Sequence, residues 1–487
     1  MKNTFIIMPI LILALLISAC SRDEISDTDN YSEDIEVIEK IEEIEETEKE
    51  ITTRTLTIRG SGLYRSVINQ ALIELNRDWT QKGYSYILEI DFQEDEPITS
   101  PEELTLAVET RPDRLRIELM AGMGPDLILD DGGILFLYQF AQAGHLMDFR
   151  TLIDNCPVTS RDDFFMNVLE AYEFFGGIHG FPLKFDLSYI GINTNMPQHF
   201  IDRFAGFEYL GLSDIMSMYL EYLDNYDVFT SHRVLSLNRL HPFLLNINHF
   251  IDFNTRTADF NKPELIDLLE LSIQFLQRAN YQLMSVGIPI NSIDVLRELA
   301  ENNMFFEPTL GHNPADAFLR RDIPFNHFLP FVDDYGHFIL ASPVDVWIVA
   351  TENSELAWEF TRYLIEIFST SEAGPPSTHR TSITPWGRGS FGIPIKRNLF
   401  ERHMRGVFNQ RSIRDSFEFD TTEDFNNAVD IAIAKMYEYA NMPMALRSAM
   451  IPPHLISVPF DDFALGLITA AEALNRMQNA VSLWLIE

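Results

Sequence analysis

Between Thr55 and Asp130 the apolar residues switch repeatedly between two periods, and that alternation restricts the chain to few folds. Thr55-Leu56-Thr57-Ile58 reads as a strand and is followed by the turn Gly60-Ser61-Gly62. Leu63, Val67, Ile68, Leu72 and Leu75 then repeat at helical spacing to about Lys82. Tyr86 to Phe92 reads as a second strand, Pro101 to Met120 as a second helix, and Pro125 to Asp130 as a third strand. Strand, helix, strand, helix, strand is the pattern of a parallel α/β sheet with helices on both faces. Ligands of such sheets bind outside the carboxyl ends of the strands. Here those ends are Gly60-Ser61-Gly62 and Asp130-Asp131-Gly132.

The N-terminus carries a different kind of signal. Lys2 precedes an almost wholly apolar run from Phe5 to Ile17, which fits an export signal and is short for a membrane-spanning helix. Ser18-Ala19-Cys20 then resembles the bacterial lipoprotein box, in which the cysteine is lipidated and becomes the mature N-terminus. The alternative is an uncleaved anchor, which the abrupt end of the apolar run at Cys20 disfavours. Residues 21–50 are expected to be an acidic, disordered stalk. Within 22–50, fourteen Asp or Glu stand against Arg22, Lys40 and Lys49, and self-repelling carboxylates keep such a segment extended.

The chain has 487 residues, of which 46% are hydrophobic and 22% charged, so a globular body of two or three domains is expected. A net charge of −37 argues against nucleic acid and against adsorption to anionic lipid, both of which need basic patches. With Cys20 consumed by lipid, Cys156 has no partner for a disulfide and reads as a buried structural thiol. From about 200 to 325 helical periodicity dominates, as in Glu264–Ala279 and Asp294–Asn302. Strand character returns at His337–Ala341 and Asp345–Ala350, then come a helix from Ser354 to Ile367 and a loop rich in Gly, Pro, Ser and Thr.

Four segments in order resemble the bacterial extracellular solute-binding proteins of family 1, the maltose-binding-like receptors of ABC importers. They are Leu119-Met120-Ala121-Gly122-Met123-Gly124-Pro125-Asp126-Leu127-Ile128, Ala143-Gly144-His145-Leu146-Met147-Asp148-Phe149, the stretch from Gly177 to Lys184 with Ile190-Gly191-Ile192-Asn193, and Ala357-Trp358-Glu359-Phe360-Thr361-Arg362-Tyr363-Leu364. The resemblance covers about residues 54–400. It implies a two-lobed periplasmic-binding-protein fold of type II, each lobe a mainly parallel sheet flanked by helices, joined by hinge strands that let the lobes close on a ligand. The implied first lobe is about 54–180 plus 330–385, and the second about 190–325 plus parts of 395–487.

Candidate ligand contacts come from strand ends and crossings. Ser61 and Tyr64 follow the first strand, with a first-turn core aromatic as the rival role for Tyr64. Asp130 and Asp131 end the third strand, where they either bind sugar hydroxyls or cap a helix. Phe185 and Asp186 follow Pro182, at the place where the family lines its cleft. Glu307 follows Met304-Phe305-Phe306, with a surface carboxylate as the rival reading. Of five tryptophans, Trp347 and Trp386 are candidates for stacking on a sugar face, with Arg388 as a partner for an acidic ligand. Trp79, Trp358 and Trp484 read as packing residues.

Enzyme signatures are absent: there is no Gly-x-Ser-x-Gly, no His-Glu-x-x-His, no phosphate loop and no Gly-x-Gly-x-x-Gly after a strand. The twelve histidines are scattered, and His241 and His249 have no evident carboxylate partner, so neither a metal site nor a cofactor is expected. The expected function is a lipid-anchored, monomeric receptor facing outside the cytoplasm, which captures a sugar or oligosaccharide and delivers it to ABC permease subunits. The alternatives are a sensor or adaptor of the same fold and a lipid-anchored glycan hydrolase.

Overall fold

The computed structural model describes residues 51–96, 101–130, 137–187, 189–225, 246–278, 306–309, 325–338, 344–370, 392–409, 421–445 and 454–486, with a few single residues between them. The expected signal segment, Cys20, the stalk, Asp131, Trp386, Arg388 and the expected helix Asp294–Asn302 lie outside the described residues. Ile51–Glu487 forms one compact unit.

The chain begins with β1 (Thr52–Gly60), which buries Leu56, Ile58 and Gly60 on alternate positions. A short 3-10 turn leads into α1 (Arg65–Gln81), whose buried stripe is Val67, Ile68, Ala71, Leu75 and Trp79. β2 (Tyr86–Glu94) lies parallel to β1, from Thr52 opposite Tyr86 to Gly60 opposite Glu94. After α2 (Pro101–Met120), β3 (Leu127–Asp130) pairs parallel on the other side of β1. The expected alternation is therefore realised in order, with β1 and β2 longer than the apolar pattern alone marked.

Next come α3 (Leu137–Gln142), α4 (Phe149–Asp154) and a hairpin of β4 (Glu173–Phe174) and β5 (Gly177–Ile178). Three short strands then follow within thirteen residues: β6 (Phe181–Pro182), β7 (Lys184–Phe185) and β8 (Tyr189–Asn193). β9 (Leu210–Gly211) runs directly into α5 (Leu212–Asn225), and a second hairpin joins β10 (Ile251–Asp252) to β11 (Thr257–Ala258). β12 (Phe306–Thr309), β13 (Phe325–Val332), β14 (Asp345–Ile348), α6 (Ser354–Thr370) and β15 (Ile393–Pro394) come next, and α7 (Ala470–Ile486) is the last helix.

Two main sheets result. The first has the order β2-β1-β3-β14-β6 and the second β12-β8-β13-β9. In the first sheet β2, β1 and β3 are parallel, while β14 runs antiparallel to both β3 and β6. The second sheet departs from the expectation of a mainly parallel lobe: β8 is antiparallel to β12 and β13, and only β13 and β9 are parallel. The reason is the path of the chain. β8 carries it away from the first sheet and β13 brings it back, so these neighbours must run in opposite directions.

Helix packing explains three tryptophans. Trp79 donates from Nε1 to Glu359 Oε1 at 2.9 Å, tying α1 to α6, and the Tyr363 hydroxyl donates to Asp78 across the same contact. Trp358 lies edge-on to Phe149 and Phe181, at 5.9 and 5.7 Å between ring centroids. Trp484 packs 5.0 Å from Tyr138, whose hydroxyl donates to the Leu485 carbonyl at 3.0 Å. Nearby in α7, Gln478 accepts from the Phe260 N–H at 2.8 Å, so this helix touches α3 and the segment after β11 alike.

Two carboxylates of the recognised segments are structural ties. Asp126, only 7% exposed, accepts from Thr57 N–H at 3.0 Å, Thr351 Oγ1 at 2.7 Å and Asn353 Nδ2 at 3.2 Å. It thus locks β1 to the turn between β14 and α6. Asp148 caps α4 by accepting from Arg150 N–H at 2.9 Å and also accepts from Ile178 N–H at 2.9 Å. Gly177 leaves room beside it: a Cβ there would lie 3.1 Å from Asp148 Cγ and 2.9 Å from His179 Nε2, so either side chain would have to shift. Asp126→Ala leaves three donors without their acceptor and should cost about 3 kcal/mol. Urea unfolding with an unchanged m-value checks this, and a loss below about 1 kcal/mol contradicts it.

Candidate functional site

The sheet registers define two edges between which the chain crosses. On the first sheet, β1 ends at Gly60 and β3 at Asp130; Asp130 stands opposite Asp345, the first residue of β14. Asp345 also stands opposite Pro182, at the end of β6, where the chain leaves. On the second sheet the chain arrives at Tyr189, opposite Pro330 of β13 and Thr309 of β12. The carboxyl ends of β12, β13 and β9 and the start of α5 therefore share the arrival edge. Seven peptide steps separate Pro182 from Tyr189, so the two edges lie within about 25 Å of one another along the chain.

The first edge is polar and close-packed. Ser61 caps the turn after β1, its hydroxyl accepting from Leu63 N–H at 3.4 Å. Gly60 leaves little room above β3, since a Cβ there would lie 3.0 Å from Leu129 Cβ. Asp130 and Asp345 are both buried, and cross-strand partners project from the same face. Tyr172 donates from its hydroxyl to Asp345 Oδ1 at 2.8 Å. Tyr64 is 6% exposed and packs 6.0 Å from Phe368, the arrangement of its core-aromatic reading. Trp347 is 1% exposed within β14, 6.1 Å from Phe140.

The crossing itself holds a buried charge pair. Lys184 and Asp186 flank Phe185, which is fully buried, pairs with Ile393 and packs 5.6 Å from Phe165. Burial pushes the Lys184 ammonium down from 10.5 to about 8, with the Asp186 charge opposing. Burial pushes the Asp186 carboxyl up from 3.8 to about 7, with Lys184 opposing. Asp186 keeps some solvent contact, yet protein surrounds it densely enough that loss of hydration governs its ionisation. Glycine at 392 makes room for the pair: a Cβ there would lie 3.1 Å from Lys184 Cβ and 3.3 Å from Asp186 Oδ1.

On the arrival edge, the turn after β13 supplies Asp333 and Asp334. Asp334 accepts from the Ser213 N–H at 2.8 Å, the Ser213 hydroxyl at 2.6 Å and Asn246 Nδ2 at 3.0 Å. Burial raises its pKa, and the two bonds from Ser213 oppose that. Glu307 lies in β12 opposite Gly191, on the edge strand of this sheet.

Of the sequence candidates, Ser61 and Asp130 share the first edge, Asp186 lies on the crossing and Glu307 sits in the second sheet. Tyr64, Phe185 and Trp347 are packed inside. Sequence reasoning missed Lys184, Tyr172 and Asp345 as parts of this region. Lys184 was readable from its place two residues before Asp186, whereas Tyr172 and Asp345 are 173 residues apart and only the fold joins them.

Two α/β sheets linked by short crossing strands, with polar groups at the strand ends beside the crossing, define the two-lobed periplasmic-binding-protein class of fold. Solved structures agree. A candidate oligosaccharide periplasmic-binding protein from Synechococcus sp. MITs9220 superposes with a TM-score of 0.54 at 12% identity, covering 88% of this chain and 99% of that one. The sugar-binding protein MalE from Xanthomonas citri gives 0.52 at 12% identity, over 89% and 98%. An extracellular solute-binding protein of family 1 from Alicyclobacillus acidocaldarius gives 0.50 at 12% identity, over 90% and 99%. No family model matches the sequence, and no curated protein matches it. At such identities the likeness establishes the fold.

The charge pair sets a pH dependence whose sign is fixed. Folded Asp186 keeps a proton that the unfolded chain releases near 3.8, so its contribution to stability is full at low pH and falls as pH rises to about 7. Folded Lys184 gives up its proton near 8 rather than 10.5, so stability from that group rises across this interval. Asp186→Asn should flatten the decline between pH 4 and 7, read as urea midpoints. An unchanged decline contradicts the assignment.

Proposed function

We propose that this chain is the substrate-binding component of an ABC importer, capturing a sugar or oligosaccharide between its two lobes and passing it to a membrane permease. The observation that carries this reading is the pair of facing sheet edges joined by the crossing at 182–189. Such a geometry opens and closes by small rotations about the crossing strands and encloses a ligand between strand ends. The MalE and Synechococcus likenesses favour a carbohydrate as the solute. The chain acts by binding, with no chemical step, and works as a monomer.

In this proposal Ser61, Asp130, Lys184 and Asp186 supply polar contacts from the first lobe and the crossing, joined by Asp131, Glu307, Trp386 and Arg388. Tyr64, Phe185 and Trp347 shape the floor beneath. The first lobe takes in about 54–180 and 330–385, the second about 190–325 with parts of 395–487. Residues 1–20 serve as export signal, Cys20 carries the lipid that holds the protein on the outer face of the cell membrane, and 21–50 form the spacer.

Two measurements test this. Thermal unfolding of residues 51–487 is followed against a panel of sugars and oligosaccharides; a cognate solute at a hundredfold excess over its dissociation constant should stabilise the fold by about 2.7 kcal/mol and be recovered unchanged. A silent carbohydrate panel, or a sugar consumed during incubation, counts against the receptor. Separately, Cys20→Ser should abolish incorporation of labelled fatty acid and release the protein from membranes. Retained labelling contradicts lipidation at that residue.

A further inference from the structure

At the end of β13, outside the contacts assigned to the solute, two imidazoles converge on one carboxylate. Asp333 is fully buried, and its Oδ1 accepts from the backbone N–H groups of Tyr335 and His337, each at 2.9 Å. That leaves Oδ2 facing His249 Nε2 at 2.6 Å and His337 Nδ1 at 3.4 Å. His337 Nδ1 is buried and makes no hydrogen bond. The three atoms all lie within 4.8 Å of one another.

We infer that His249, Asp333 and His337 form a binding site for a divalent late transition metal, with zinc as the representative ion. Two imidazole nitrogens and one carboxylate oxygen are a donor set that suits zinc, copper or nickel and disfavours calcium and magnesium, which take oxygen. Ligands about 2.0–2.1 Å from a tetrahedral zinc stand about 3.3 Å from each other. The His337–Asp333 separation already meets that spacing. The His249 ring must withdraw by about 0.7 Å, exchanging its hydrogen bond to Asp333 for coordination and releasing the shared proton. The side chains of His249 and His337 keep 24% and 32% of their surface exposed, which gives the ion a way in and leaves a fourth position for water.

The surroundings hold the three ligands in place. Asn246 bonds Asp334 in both directions, Nδ2 donating to Oδ2 at 3.0 Å and the Asp334 N–H donating to Asn246 Oδ1 at 2.9 Å. This double bond-pair fixes the segment that carries His249 against the turn that carries Asp333 and His337. Asp333 N–H donates to the His337 carbonyl at 2.9 Å, closing the turn on itself. The Tyr335 ring lies 4.1 Å from His249, and the His249 and His337 rings are stacked at 4.9 Å. Such outer contacts orient metal ligands and raise affinity.

The test is zinc binding by the purified full chain after chelator treatment, followed by calorimetry and by the visible spectrum of the cobalt form. One ion per chain with tetrahedral cobalt bands is expected. Asp333→Asn also disturbs two backbone bonds, so His249→Ala and His337→Ala are the informative variants, and circular dichroism confirms that they fold. Each should weaken zinc by more than about 100-fold, beyond what loss of an outer contact causes. Zinc bound equally well by folded His249→Ala and His337→Ala overturns the site, as does a wild-type chain that binds none. No sugar enters this measurement, so its outcome is independent of the proposed receptor role.

Discussion

The thirteen residues from Phe181 to Asn193 have to carry the chain out of one sheet and into another while remaining buried. Phe181, Leu183, Phe185 and Ile190 have no exposed surface, so every backbone N–H and C=O beside them needs a partner. The chain solves this by changing partner every two or three residues. β6 pairs with β14; Leu183 N–H donates to the Val344 carbonyl; β7 pairs with β15; β8 pairs with β12 and β13. Each change of partner fixes one more distant segment against the crossing. The return of the chain through β13 makes β8 and β13 antiparallel and brings the carboxyl ends of β12, β13 and β9 to the arrival edge.

The aspartates divide into two kinds against this frame. Asp126 and Asp148 each spend their lone pairs on donors from two segments, and they hold elements together. Asp130, Asp186, Asp333 and Asp334 lie instead at strand ends or on the crossing. Asp130 and Asp333 are buried there, where a desolvated carboxylate bonds a polar partner more strongly than an exposed one does.

The alternation over 55–130 was legible because each element is amphipathic and local, so its period survives in the bare sequence. The helices Arg65–Gln81, Pro101–Met120 and Ser354–Thr370 follow the expected ranges closely. Strand direction in the second sheet was not legible, because a strand of five residues has the same pattern in either orientation. The candidate site was legible only in part. Asp130 and Asp186 were visible as polar residues at strand ends, but nothing near Tyr172 marked it as the partner of Asp345. The aromatic candidates Tyr64, Phe185 and Trp347 turned out to be packed inside, since an aromatic near a strand end has the same sequence appearance whether it faces a core or a cleft.

The His249, Asp333 and His337 cluster marks the limit most sharply. Spacing of eight between His241 and His249 suggested no metal ligand, and the carboxylate that His249 meets is 84 residues away. The sequence by itself determined the order of helices and strands over 55–130, which faces they bury and that the body is an α/β protein, because those properties follow from hydrophobic period and turn chemistry over a few residues. Only the tertiary structure decided which strand ends meet, which carboxylates became ties and which imidazoles converge on one carboxylate. These depend on contacts across tens to hundreds of residues, and those are set by which buried backbone groups find partners.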